Sequence, residues 1–595
     1  MIKYIVLVCF LLLSNFSFSQ EYNSQKVIWD GFYSVKENDV EFKFPLFSKE
    51  CYDINVSEKT ITFSKVIPVS QMVNNNSLQL INIVYENVNE EQLGSLDKNK
   101  IPSKLVYSIG SVKARDNFFA YLSVSPIIKE NGIYKRIISF NYTFNLDNSN
   151  RNNNANSSVL AISNSVLASG SWYKFYVQKS GIYKLTKSFL KDLGLDTNVN
   201  PKNIKIYGNG GRMLPLLNST YYPLDLEENA IKFIGEDDEV FNDDDYILFY
   251  AEGVDQWNTE SFTSVNLFED KSYYFVTVSN SQGKRITEAT QPTGSPTQTY
   301  TNYDDYLYYE KDLVNFGKVG RRWWGEQFNI NSEQTFDFSI PNIDTSVPIN
   351  VKINTASKSF TITKFNAFVN NQSIGTATFP SIDNAIGVSG FENVITSNFS
   401  LSNGNFSVKL EYDNGSVPSS NGYLDYIQIK SKRLLQGFNN QFSFFNESQA
   451  TNIGTAQYNI SNATGIASVW DITDIYNVFS YTNNNTSSFT FKAPMGEIRK
   501  YITQVPSDYY SPLKESNAQV ANQNLKGTLF KDSSGNFADI DYLIITPQFL
   551  VNQANTLANF HRNNSNLQVR VVTLESIYLE FGSGKQDVAA IRNLI

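Results

Sequence analysis

Apolar and polar residues alternate along much of this chain. Between Val27 and Leu146 the pattern recurs as VEFKFPLF at 40–47, LQLINIVYENV at 78–88 and RIISFNYTFNL at 136–146, the two-residue period of half-buried strands. It predicts an antiparallel β domain over residues 20–146. The stretch DNSNRNNNANSS at 147–158 has no apolar side chain but Ala155, so burial there cannot offset the entropy of ordering the backbone. Residues 147–165 therefore read as a linker. Strand patterns resume in SWYKFYVQKSGIYKLT at 171–186, expected as a hairpin turning at Ser180 and Gly181, and SFLKDLGL reads as a short helix ended by Gly194. These open a β-rich domain over 166–300. From 301 to 505, short strands between Asn, Ser and Gly turns, including NGYLDYIQIKSKRLL and VWDITD, predict a jelly-roll or β-sandwich region. A connecting segment follows at 506–539.

The period changes near residue 540. DIDYLIITP is a short, nearly continuous apolar strand of the kind covered on both faces. After it, PQFLVNQANTLANFHRNN sets Leu550, Ala554, Leu557 and Ala558 at helical spacing, and LQVRVVTL reads as a second strand. Strand, helix and strand in this order imply a parallel βαβ unit, and two parallel strands alone cannot bury both their faces. The last residues, QDVAAIRNLI, place Asp587 as the cap of a helix whose Ile591, Leu594 and Ile595 are expected to lack a partner. The chain thus reads as the N-terminal part of a longer protein, with 540–595 the incomplete start of an α/β domain.

At 595 residues the length suggests about four domains, and 14% aromatic with 18% charged residues fits many half-buried strands. Lys plus Arg number 49 and Asp plus Glu 58, a net charge of −9 that offers no basic footprint, so nucleic acid is not an expected partner. Lys3, the apolar run Ile5 to Leu13, and the small residues Ser17 and Ser19 form a signal-peptide pattern over 1–19, and export is expected. No other apolar run is long enough for a membrane-spanning helix. Cys9 lies in the leader, which leaves Cys51 alone, without a disulfide partner. The surrounding SKECYDINVS supplies no His or cationic cluster to lower its pKa, so it is expected to be buried and inert.

Three further features could carry chemistry. Gly208, Gly210 and Gly211 in IKIYGNGGRMLP are followed by Arg212, Met213 and Leu214, which fit neither a Walker loop nor a dinucleotide fingerprint, so a tight turn after a strand is expected. Glu236, Asp237, Asp238, Glu239, Asp243, Asp244 and Asp245 crowd the stretch 236–245. They lack the ligand spacing and central glycine of an EF-hand, so a solvated loop without calcium is expected. In GRRWWGEQF, strand geometry would put Arg321 and Trp323 on one face and Arg322 and Trp324 on the other, with one Trp buried; for the other, core or interdomain packing is the default expectation, and a sugar platform or an arginine-stacked surface residue are the alternatives.

NQNLKG at 522–527, DYLIITP at 541–547 and YLEFGSGKQDVAAIR at 578–592 resemble the opening of the peptidase domain in gingipain-type cysteine peptidases, specifically the sortases of type IX secretion. LASGSWYKFYVQKSGIYKL, YGNGG and GRRWWGEQF are similar to the β-rich regions before that domain. Leu579 and Gly582 depart from the family pattern, where asparagine and serine are usual. The resemblance implies a mainly β protein, several antiparallel β-sandwich or jelly-roll-like domains followed by the start of a caspase-like α/β domain. It also implies a cysteine, activated by a histidine, that removes C-terminal sorting domains from cargo proteins and passes the cargo to an amine on surface lipopolysaccharide or to water. The implied barrel partner is PorV, and the implied place is the cell surface and outer membrane of a Gram-negative bacterium.

The implied catalytic pair lies on later strands, beyond Ile595. The one histidine, His561, sits at a helix end beside Arg562 and Asn563, so no catalytic, metal or cofactor residue is assigned and this chain alone is expected to be inactive. A β-sandwich adhesin or carbohydrate-binding surface protein would share the strands but not the parallel start at 540–595. An outer-membrane barrel should show strands of about ten residues and no internal helix.

Overall fold

The computed structural model describes residues 23–146 and 164–595, apart from 38–39, 57, 75–76, 99, 115–116, 131, 219, 319, 383–389 and 533. The expected signal peptide, and the expected linker up to residue 163, lie outside the described residues. The chain divides into two compact units between Val159 and Leu160.

The first unit is antiparallel β. One sheet pairs Ile133–Thr143 with Asn23–Lys26, Gln79–Val88 and Ile127–Glu130; another runs Tyr52–Asn55, Thr60–Val69, Asn117–Val124, Tyr107–Ala114. Trp29–Glu37 and Val40–Phe47 form a hairpin. The runs predicted at 40–47, 78–88 and 136–146 fall on the strands Val40–Phe47, Gln79–Val88 and Ile133–Thr143, the last of which ends three residues early. Their inward positions share one core, in which Phe63 and Phe140 meet edge to face at 5.5 Å. Cys51 is a buried member of that core, and desolvation pushes its thiol pKa up, as expected of an inert cysteine.

The second unit is also mostly β. Its first sandwich corrects the expected hairpin at 171–186. Trp172–Val177 pairs with Ser272–Val278 and Gln519–Val520, whereas Gly181–Thr186 pairs with Tyr246–Ala251 in a different sheet. The chain crosses between layers at Ser180, whose hydroxyl accepts a bond from the Gly253 backbone at 2.9 Å. A side chain at Gly181 would meet the Tyr510 ring at 2.6 Å. The two strands instead contribute to one shared core, Phe175 and Val177 from the first and Tyr183 and Leu185 from the second. Lys187–Leu193 is the expected short helix, ended by Gly194 in the left-handed region.

Further on, Asn421–Leu434 sits within a ten-stranded sheet, flanked by Asn302–Glu310 and Ile349–Lys358. Sheets over it close two more cores, one around Val351, Phe365, Leu410 and Ile427, the other around Tyr458, Phe491 and Tyr501. Trp324 is buried and Trp323 exposed, so one indole is indeed internal. The segment is not the expected strand, and the arginine stack falls on the buried ring. Arg322 lies 4.4 Å over Trp324 and pairs with the buried Asp425 at 2.7 Å, which holds the indole in place.

The C-terminal part is the predicted βαβ unit. Tyr542–Thr546 and Val569–Thr573 are parallel and in register, joined by the helix Val551–Ser565. The apolar stripe proves narrower than expected. Ala554 and Ala558 are buried while Leu550 and Leu557 are exposed, because the helix lies on the strands through its small side chains. The expectation of an unpartnered last helix is also corrected. Val588–Leu594 buries Leu594 and packs Ile591 against Leu214, Leu529 and Ile577, leaving Ile595 open.

Trp470 is fully buried and donates to Ser468 Oγ at 3.1 Å. Trp470→Ala should lower the stability of the second unit by about 3–5 kcal/mol in urea unfolding. A loss below about 1 kcal/mol would contradict the packing described.

Candidate functional site

The partner of the last helix is the glycine turn. The strand Ile204–Tyr207 ends at Gly208, and the following loop is pressed onto the sheet below it. Gly210, at φ 77°, would place a Cβ 2.2 Å from the Glu252 carboxylate, and Gly211 would place one 2.3 Å from the Gly253 carbonyl. Only glycine permits both approaches. With no side chains in the way, the loop's backbone groups are free to bond outward.

Those groups bond the segment Gly582–Asp587. Asn209 N–H donates to Ser583 Oγ at 3.1 Å, and Lys585 Nζ donates to the Gly210 carbonyl at 2.6 Å and to the Tyr222 hydroxyl at 3.3 Å. Asp587 is the expected helix cap, its Oδ1 accepting from Ala589 N–H at 2.8 Å, while Oδ2 accepts from Leu214 N–H at 2.8 Å. Arg592 donates to the Pro215 carbonyl at 2.9 Å and also to that of Leu216. Lys585 Nζ and both Asp587 carboxylate oxygens thus find partners at the seam, whereas Arg592 Nε is buried without one.

A second clamp joins the other resembling motifs. Glu580, buried, accepts from Leu525 N–H at 2.7 Å, Lys526 N–H at 3.1 Å and Gln523 Nε2 at 3.0 Å. Lys526 Nζ donates to the Glu580 carbonyl at 2.6 Å and pairs with Asp225 at 3.1 Å. Asp225 in turn accepts from Val166 N–H at 2.8 Å. Hence NQNLKG and YLEFGSGKQDVAAIR interlock with each other and with the β part of this unit.

Burial sets the electrostatics. Lys585 is 1% exposed, and desolvation lowers its pKa to about 8 against the opposing pull of Asp587. Lys526 is also lowered by desolvation, with Asp225 opposing, and burial raises the Tyr222 phenol.

The other candidates lie elsewhere. His561 is half-buried, edge to face with Tyr542 and Phe560 at 5.2 and 5.5 Å, in a different unit from Cys51. The carboxylates of the acidic loop have separate partners: Glu236 with Arg285 at 2.7 Å, Glu239 with Lys202 at 3.0 Å and Asp243 with Lys187 at 3.1 Å. Among the described residues no group of three metal-ligating side chains converges. The sequence reading found the turn and the Asp587 cap but missed Asp225, Lys526, Glu580 and Lys585 as seam residues. The available signal was two lone charges, Lys585 and Asp587, among the small residues of FGSGKQDVAA.

Residues 536–595 match the model of peptidase family C25. The similarity to that family falls on the parallel βαβ unit and the last helix. Over 73% of this chain the fold is similar to that of dimeric latent PorU from Porphyromonas gingivalis, with a TM-score of 0.62 at 22% identity. The chain spans 40% of that protein's length. A carbohydrate-binding module, CBM36 in complex with calcium and xylotriose, is similar over 21% of this chain and 98% of its own, at 17% identity and a TM-score of 0.15. The complex of Porphyromonas gingivalis RgpB pro- and mature domains is similar over 21% of this chain and 79% of its own, at 12% identity and a TM-score of 0.15. No curated protein matches the chain.

Docking lowers the Lys585 pKa below its ordinary 10.5, so the docked state resists protonation. The cost is full below about pH 8 and fades as pH rises towards 10.5. Urea unfolding of the seam, followed by a fluorophore on Leu557→Cys, should therefore show the native chain gaining more stability over that range than Lys585→Met, in which only the lowered Lys526 keeps a slope of the same sign. An equal pH dependence in both would refute the assignment. Asp587→Ala should cost about 1–3 kcal/mol, since it removes a cap and leaves Leu214 N–H buried without an acceptor.

Proposed function

We propose that this chain is the N-terminal part of a type IX secretion sortase, a cysteine peptidase that removes C-terminal sorting domains from exported cargo. The observation that carries the proposal is the match of residues 536–595 to family C25 on a segment clamped to the β part of its unit by Lys585, Asp587 and Arg592. In this reading the β sandwiches are the platform that orients the peptidase domain. The nucleophilic thiol and its histidine come from strands after residue 595. A thiolate of lowered pKa attacks the peptide bond before the sorting domain, and the acyl-enzyme passes to an amine on surface lipopolysaccharide or to water. The signal peptide directs export, PorV holds the protein at the outer membrane, and the present chain by itself has no activity.

Deleting the gene in its host should leave exported proteins carrying uncleaved C-terminal sorting domains, detectable by mass spectrometry. Restoring the full-length gene should reverse this, and restoring it with Lys585→Glu, which places a carboxylate against the Gly210 carbonyl, should do so poorly. Normal processing in the deletion strain would overturn the proposal.

A further inference from the structure

A second site lies on the ten-stranded sheet, away from the seam. Tyr306, Tyr308 and Glu310 alternate along Asn302–Glu310 and so share one face. Trp257, on the loop after Tyr246–Ala251, stacks on Tyr308 at 5.1 Å with the planes 8° apart. Tyr306 continues the stack at 6.3 Å, and Phe445 extends it a further 6.2 Å. Trp257, Tyr306 and Tyr308, with Val265, wall an open cleft of about 450 Å³.

Two carboxylates stand at the end of the cleft, and each is held by one oxygen. Glu310 Oε2 accepts from Ser264 N–H and Oγ, both at 2.7 Å, and Asp255 Oδ1 accepts from Asn266 N–H at 3.1 Å. This fixes both groups while Glu310 Oε1 and Asp255 Oδ2 take no part in those bonds. No Lys or Arg is among the cleft's lining residues. The nearby cations are already engaged: Lys430 pairs with Glu447 and lies 5.4 Å over the Tyr306 ring at the far end of the aromatic wall, Lys352 lies over Tyr426, and Arg322 holds Asp425. Asp312, beside this end, is raised to about 6 by burial and by the charges of Glu310 and Asp255, against the pull of Arg322. Negative charge is therefore in excess at this end of the cleft.

We propose that this cleft binds a lysine or arginine side chain from a basic polypeptide segment. The apolar stem would lie along Trp257, Tyr308 and Val265, and the cationic head would donate to Glu310 and Asp255. A long aliphatic stem ending in several donors matches aromatic walls that end in two oriented acceptors. A neutral sugar would use the same acceptors but leave their charge unbalanced. This inference does not depend on the peptidase reading.

The test is calorimetric titration of the full chain with a capped triarginine peptide, its tricitrulline counterpart and a neutral xylo-oligosaccharide, with tryptophan fluorescence as a second readout. Triarginine should bind about tenfold or more tightly than tricitrulline, lose affinity as salt is raised, and alter the Trp257 signal. Glu310→Gln keeps an acceptor for Ser264 but loses the charge, and should weaken binding about tenfold with an unchanged thermal midpoint. Asp255→Asn should act in the same direction. Equal binding of the two peptides, affinity indifferent to both substitutions, or oligosaccharide binding without triarginine binding would each overturn the proposal.

Discussion

A two-stranded parallel sheet with one helix cannot bury both its faces, and that constraint governs how the C-terminal part of this chain is held. Val572, Ile577, Ala589, Ala590 and Leu594 need an apolar cover, and the β part of the second unit provides it through Leu214. Leu214 reaches them because the turn before it is built of glycines that lie flat on Glu252 and Gly253. Side chains there would lift the turn from the sheet and separate the two surfaces. The glycines that could have suggested a phosphate cradle serve instead to bring one backbone within bonding distance of another.

The polar part of the seam has a different role from the apolar part. Burying the Lys585 ammonium and the Glu580 and Asp587 carboxylates costs several kcal/mol each in desolvation, and their hydrogen bonds at best roughly offset that. What the bonds do provide is discrimination between registers. A slip of one residue along 582–587 would leave a buried ammonium away from the Gly210 carbonyl and Leu214 N–H without its acceptor, a heavy penalty against every alternative docking. Apolar contact alone would tolerate such a slip. On the proposed reading, in which the β part orients a peptidase domain, that intolerance matters more than extra stability.

How much of this the sequence disclosed follows from the range of the interactions. The parallel pair at 542–573 and the strands of the first unit are legible because their periodicity is set by local burial. The supposed hairpin at 171–186 misled because two strands joined by a short turn look alike whether they bond to each other or face each other across a core. Only the partners Ser272–Val278 and Tyr246–Ala251, some 70–100 residues away, decide it. The seam lay further out of reach, since Lys585 and the Gly210 carbonyl are 375 residues apart. The tryptophan segment failed for another reason: the buried Asp425 draws Arg322 inward over Trp324, and that pull overrides the alternation a strand would impose.

The motifs that resemble the peptidase family and the residues that form the seam are largely the same residues. Lys526 of NQNLKG and Glu580, Lys585, Asp587 and Arg592 of YLEFGSGKQDVAAIR all reach across to the turn or to each other, and YGNGG supplies the carbonyl that Lys585 meets. None of them is a nucleophile or a base. A motif shared for its chemistry would center on groups that meet a substrate, exposed in a cleft. These are buried and bonded to backbone, which is the signature of residues that fix one body on another. In this part of the chain the recognisable pattern therefore marks where residues 536–595 attach to the β part of their unit.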